Sequence, residues 1–161
     1  LRAEGWNISD DAQRRGLAAL RWPARVEVWS DRPTVVIDAA HNLASVEALV
    51  AALNECFLAR RRLLVFATTL DQAVARKLRV LLQDVDHVYF TRYSSNPRGV
   101  PVETLAAMAI EQGATNFTSY ATAEQAWELA REAASAESLI CVTGSFFIAA
   151  EVRAMLAASA S

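Results

Sequence analysis

The sequence predicts a three-layer α/β domain: a mostly parallel, Rossmann-like sheet of about six strands, one of them an antiparallel edge strand, with helices on both faces. Three observations carry this reading. From Thr34 onward, short β-rich runs alternate with helical patterns of roughly 10 to 15 residues, the signature of βαβ units. The run Thr34 to Asp38 is apolar on successive residues, as a strand buried on both faces is. It is preceded by a second β-rich run, Arg25 to Ser30, across the polar turn Asp31-Arg32-Pro33, so a hairpin supplies the edge strand. With 161 residues, 53% of them hydrophobic, the chain has room for one domain with a proper core and not for a second complete one.

The elements come in this order. Ser9 before Asp10 and Asp11 reads as an N-cap with acids in the first turn, and the helix runs to about Leu20 before Pro23 ends it. Residues 1–21 are therefore expected to be a leader helix or linker, and 22–161 the domain. After the hairpin, Val46, Leu49, Val50, Leu53 and Phe57 recur at helical spacing, and Arg62 to Ala67 gives a strand. Asp71 is expected to cap a helix whose Val74, Leu78, Leu81 and Leu82 form a stripe, followed by a strand from His87 to Thr91. Pro101 starts a helix to Gln112, with Gly113 as its stop. A strand around Asn116 to Tyr120, a helix carrying Ala123, Trp127 and Ala130, and the strand Ser138 to Thr143 come next. A last helix from about Phe146 to Leu156 leaves an alanine-rich end expected to fray.

Composition excludes several classes of function. A net charge of −2 gives no strongly basic face for nucleic acid. Charged residues interrupt every apolar run well before the ~18 residues of a membrane span. The segment beginning at Leu1 shows neither a natural start nor a secretory signal, so the chain reads as a piece of a longer protein. Cys56 and Cys141 read as buried small hydrophobes in a reducing compartment, which makes the cytoplasm the expected location. No Cys/His metal spacing occurs. There is no G-x-x-x-x-G-K-[ST] phosphate loop, Lys77 being the only lysine, and no G-x-G-x-x-G.

Chemistry is expected at strand ends, where open α/β sheets bind ligands. Asp38 and His41 stand beyond the second strand, before a helix N-terminus whose free N–H groups favour an anion. Asp38 reads either as a ligand to a sugar hydroxyl or as a capping acid, and His41 and Asn42 as a ligand site or as a mere cap. Thr143-Gly144-Ser145 repeats the arrangement: Gly144 permits a tight turn, and Ser145 caps the last helix or holds a small carboxylate. Arg25 is a surface charge or a phosphate clamp. His87 reads as structural, and Arg60-Arg61-Arg62 as a solvated segment.

At Trp22-Pro23-Ala24-Arg25, Asp38-Ala39-Ala40-His41-Asn42 and Val142-Thr143-Gly144-Ser145-Phe146-Phe147, with Glu151-Val152-Arg153, the sequence resembles the C-terminal domain of folylpolyglutamate synthase/dihydrofolate synthase, in the Mur ligase family. The resemblance covers nearly the whole chain from about Gly5. It implies an ATP-dependent ligase that forms an acyl phosphate on a folate or dihydropteroate carboxylate and joins L-glutamate to it. It implies Arg25 and His41 as catalytic residues, Arg25, Asp38, His41 and Asn42 at ATP, and Ser145 and Phe147 at glutamate. The partner is then the protein's own N-terminal ATPase domain, which holds magnesium and the phosphate loop, so the isolated chain is expected to be inactive. Two positions depart from the family pattern. Asp71-Gln72-Ala73 stands where Asp-Lys-Asp is usual, leaving Arg76 or Lys77 to replace the lost charge, and Phe147 lacks a common aromatic hydroxyl. The competing readings are a non-catalytic α/β binding module and a ligase domain of a peptidoglycan or cyanophycin Mur-type enzyme.

Overall fold

The computed structural model of the chain describes residues 4–20 and 22–159. Residues 1–3 and 21 of the expected leader, and the last two of the alanine-rich end, lie outside the described residues. The elements are α1 (Asp10–Ala18), β1 (Glu27–Asp31), β2 (Thr34–Ile37), α2 (Leu43–Cys56), β3 (Arg61–Phe66), α3 (Val74–Leu81), β4 (His87–Phe90), α4 (Val102–Glu111), β5 (Phe117–Ser119), α5 (Ala123–Ala133), β6 (Ser138–Thr143) and α6 (Phe146–Ser159). The strands form one sheet in the order β1-β2-β6-β3-β4-β5, with β1 antiparallel to β2 and the other pairs parallel.

The period of two along each strand divides the core into two layers. Val35, Ile37, Leu63, Val65, Ile140 and Val142 face α5 and α6, where they meet Trp127, Ile148 and Val152. Val36, Leu64, Phe66, Leu139 and Cys141 face α2, α3 and α4, against Leu49, Leu78 and Leu105. Strand β6 is buried at every position, which is why its sequence reads as a continuous apolar run rather than an alternating one. None of the residues of α1 is buried, and its N-cap Ser9 accepts the expected bond from Ala12 N at 3.1 Å.

Local differences from expectation have local causes. Asp71 does not cap α3: the N-cap is Ala73, with no side-chain bond. The Asp71 carboxylate instead folds the preceding turn, accepting from Ala73 N at 2.7 Å, and pairs with Lys77. Cys56 is exposed, because it ends α2 on the outer face, whereas Cys141 is buried and burial pushes its thiol pKa up. Pro101 is the N-cap of α4 rather than its first residue, and α6 continues to Ser159. Arg62 is not simply solvated: its guanidinium bonds the Asn54 side chain and the carbonyls of Leu53 and Phe57 at the end of α2. His87 is structural as expected, with Nε2 3.0 Å from Thr118 Oγ1.

Gly144, between β6 and α6, has φ +114°, and a Cβ there would stand 2.5 Å from the Ala67 carbonyl oxygen and 2.7 Å from Phe66 Cε2. Backbone oxygen cannot step aside as a flexible side chain can. Gly144→Ala is therefore expected to cost about 2–3 kcal/mol through strain and overpacking. Thermal denaturation should show Tm falling by roughly 5–10 °C, and an unchanged Tm would show that this turn has slack.

Candidate functional site

The order of the strands decides where chemistry is displayed. Helix α2 carries the chain from β2 to β3 past the place that β6 later fills, and α5 returns it across the opposite face. The carboxyl ends of β2, β6 and β3 thus lie side by side, with Ile37 paired to Val142 and Phe66 to Thr143. A reversal of winding of this kind opens a crevice. His41 from the first strand end, Ser145, Phe146 and Phe147 from the second, and Thr68 and Asp71 from the third line a cavity of about 180 Å³.

Of the residues expected at a site, His41, Ser145 and Phe147 wall this cavity. Arg25 stands beside it, exposed, with its guanidinium 5.5 Å from the centre of the Phe146 ring. The His41 ring lies 5.2 Å from the same ring, so both Arg25 and His41 pack against Phe146. The His41 Nδ1 is 3.0 Å from the Ala39 carbonyl oxygen, which can only accept, so Nδ1 carries a proton and Nε2 is the nitrogen left for a ligand. Asn42 is committed to helix capping: its Oδ1 accepts from Ser45 N at 2.9 Å, and Ser45 Oγ accepts from Asn42 N at 3.2 Å.

Asp38 lies behind the cavity rather than in its wall. Its Oδ2 accepts from Val26 N at 2.8 Å and its Oδ1 from Ala40 N at 2.7 Å. Burial raises its pKa above the ordinary carboxylate value, against the lowering pull of those two bonds and of the Arg25 charge. Glu27 supports the same loop, accepting from Ala24 N at 2.8 Å while Arg153 Nε reaches both its oxygens at 3.1 Å. Between these anchors Ala24 and Val26 have φ of +53° and +45°, one on each side of Arg25. A β-branched residue in that region is strained by about 1–3 kcal/mol. Asp38 and Glu27 hold a conformation that free chain would not keep, with Arg25 at its tip.

Ser145 meets the capping expectation: it is buried, and its Oγ accepts from Ile148 N at 3.3 Å in the first turn of α6. The hydroxyl also belongs to the cavity wall, so capping and ligand contact are compatible here. Phe147 packs its ring 5.0 Å from that of Tyr93, whose hydroxyl shares a 2.6 Å hydrogen bond with Thr69 Oγ1. The aromatic hydroxyl absent at Phe147 is thus present nearby on another strand's end. Tyr93 is legible only by extending the strand-end rule to β4. Sequence reasoning gave Phe146 no role either, because an exposed aromatic ring has no local pattern to mark it.

Lys77, and not Arg76, is the cation beside Asp71. It is fully buried, and its Nζ donates to the Asp71 carboxylate at 2.9 Å, to Thr68 Oγ1 at 3.0 Å and to the His41 carbonyl at 2.9 Å. Arg76 is exposed. At Asp71 desolvation works to raise the pKa, but the hydrogen bond and charge of Lys77 and the Ala73 N–H outweigh it and hold the carboxyl below its usual range. The sequence signal was a charge on the apolar stripe of Val74, Leu78 and Leu81. Among the described residues, no cluster of three or more His, Cys, Asp or Glu side chains is placed to hold a metal ion, and no helix is long and apolar enough to cross a membrane.

Residues 24–146 match the family model described as Mur ligase, glutamate ligase domain. Over its 161 residues the chain is 32% identical to the dihydrofolate synthase/folylpolyglutamate synthase of Escherichia coli K12, of which it spans 37%. It superposes on E. coli FolC in complex with ADP with a TM-score of 0.86 and 32% identity, over 98% of this chain and 37% of that one. A bifunctional folylpolyglutamate synthase/dihydrofolate synthase with manganese, AMPPNP and L-glutamate bound superposes with a TM-score of 0.80 and 30% identity, over 94% and 36% of the two chains. The sheet order, the crevice between β2, β6 and β3, and a family match over residues 24–146 agree: the chain belongs to the Mur ligase family, in its glutamate ligase domain.

Proposed function

We propose that this chain is the C-terminal domain of an ATP-dependent amide ligase that joins L-glutamate to a folate or dihydropteroate carboxylate through an acyl phosphate. It works in the cytoplasm against an N-terminal ATPase domain of the same protein. The observation that carries the reading is one cavity walled by His41, Ser145 and Phe147, with Arg25 beside it over Phe146. The relatives support it, one solved structure holding both AMPPNP and L-glutamate. Names of the folate type among the relatives favour this branch over peptidoglycan or cyanophycin ligases. Arg25, His41 and Ser145 gathered at one crevice argue against a decayed, non-catalytic module.

The roles follow from the chemistry of each group. The Arg25 fork offsets charge on a transferring phosphoryl group, a task that suits a planar bidentate donor. His41 completes the nucleotide side, while Asp38 acts there by fixing the Arg25 loop and Asn42 by fixing the start of α2. Ser145 and the amides at the N-terminus of α6 meet the glutamate carboxylate, and Phe147 shapes the wall. Among the described residues no cluster of three or more His, Cys, Asp or Glu side chains is placed to hold a metal ion, and the family resemblance assigns magnesium to the ATPase domain.

In the full-length protein Arg25→Ala is expected to lower kcat by roughly 10²-fold, as losing a preorganised donor to developing charge does. Tm should hardly change, since the side chain is exposed, and Arg25→Lys should recover only part of the rate. Steady-state kinetics showing wild-type turnover for Arg25→Ala would make this an ordinary surface charge.

Ser145→Ala separates the cap from the ligand contact. Losing the cap alone costs about 1 kcal/mol of stability. Losing a hydrogen bond to a charged ligand costs about 1.5–3 kcal/mol, so glutamate KM should rise roughly tenfold or more while ATP KM stays near wild type. Equal rises in both KM values would return Ser145 to a purely structural role.

A further inference from the structure

Lys77 is the one fully buried cation among the described residues, with an exposure of 0%. Its three ammonium protons are used by three oxygens, at 2.9 Å to the His41 carbonyl, 3.0 Å to Thr68 Oγ1 and 2.9 Å to Asp71 Oδ2. A saturated, buried ammonium has no proton or lone pair to offer a ligand, which rules out a part as base, nucleophile or direct contact. Its acceptors have something else in common: His41, Thr68 and Asp71 all line the cavity that Ser145 and Phe147 also line. They come from two different strand ends, beyond β2 and beyond β3, and backbone pairing links β2 and β3 only through β6. The ammonium is a direct tie between the two loops.

Stability alone does not call for a charge at this point. The neighbouring positions on α3 are Val74, Leu78 and Leu81, all buried, and a methionine of similar length would fill the same space without the cost of desolvating an ammonium. The single carboxylate that offsets the charge has a side chain 44% exposed to solvent, a poor arrangement for stability but one that sets a loop.

We infer that Lys77 is a positioning residue for the proposed ligation: from behind the cavity wall its ammonium fixes the β2–α2 loop against the β3–α3 turn, and so sets His41 without touching any ligand. The inference rests on the glutamate-ligase reading. It differs from the assignments of Arg25 and Ser145 in that the residue acts through a main-chain carbonyl.

The test uses the full-length protein, assayed for glutamate incorporation into folate and dihydropteroate. Lys77→Met is compared with Leu81→Ala, a core truncation at the far end of the same helix that destabilises the fold without approaching the cavity. Lys77→Met should lower kcat by on the order of 10²-fold, the usual result of misplacing a catalytic group by about 1 Å, with both KM values within about threefold of wild type. Leu81→Ala should lower Tm by at least as much and leave kcat near wild type. If Lys77→Met fails to fold, Asp71→Asn decides. It keeps the Ala73 contact but removes the counter-charge, and should lower kcat severalfold. Lys77→Met losing no more kcat than Leu81→Ala, or Asp71→Asn at wild-type kcat where it decides, overturns the inference. A wild-type protein that incorporates no glutamate overturns the proposed function instead.

Discussion

Every feature of the site depends on the insertion of β6 between β2 and β3. A strand buried at all of its positions needs partners on both edges and cover on both faces, and only the middle of the sheet supplies them. Filling that place last in the chain forces the crossover α2 and the returning helix α5 onto opposite faces. The reversal leaves the ends of β2, β6 and β3 open to solvent between them. The ligand crevice is a consequence of how the sheet is wound, before any residue in it is chosen.

Much of this was legible because the signals are one-dimensional. The continuous apolar run at Ser138 to Thr143 announces burial on two faces, and the turn at Asp31-Arg32-Pro33 announces a hairpin and hence an antiparallel edge. Strand-end placement picks out Asp38, His41 and Ser145 from their position in the pattern alone. The division of labour among them was not legible. Whether a carboxylate faces a ligand or two backbone amides depends on where a loop from elsewhere in the chain folds back. At Asp38 that loop is Ala24 to Val26, 12 residues away from Asp38 at the Val26 contact.

The contacts that escaped a sequence reading are those that join separate strand ends. Lys77 belongs by spacing to an apolar stripe, and nothing near it in sequence says that its ammonium meets the carbonyl of His41, 36 residues earlier. Tyr93 and Thr69 meet in the same way across the ends of β4 and β3. Asp71 shows how local reasoning fails in such a place. As the acid before a helix it is a reasonable cap, yet its second oxygen is drawn to a charge that comes up from the helix itself, and a turn results instead.

Rigidity and exposure are apportioned unevenly across the site, and the proposed chemistry accounts for the division. Asp38, Lys77, Thr68 and Ser145 are buried and bonded, so the frame is fixed before any ligand arrives. Arg25 and His41 are exposed, so the groups that would meet transferring charge stand at the surface. Charge stabilisation by such groups is weak in bulk solvent and strengthens when water is excluded. On the proposed function the missing wall comes from the ATPase domain, and catalysis waits until the two surfaces close. The strain at Ala24 and Val26 fits the same scheme: Arg25 is held ready at the tip of its loop by Asp38 and Glu27, so little ordering remains to be done at the moment of closure.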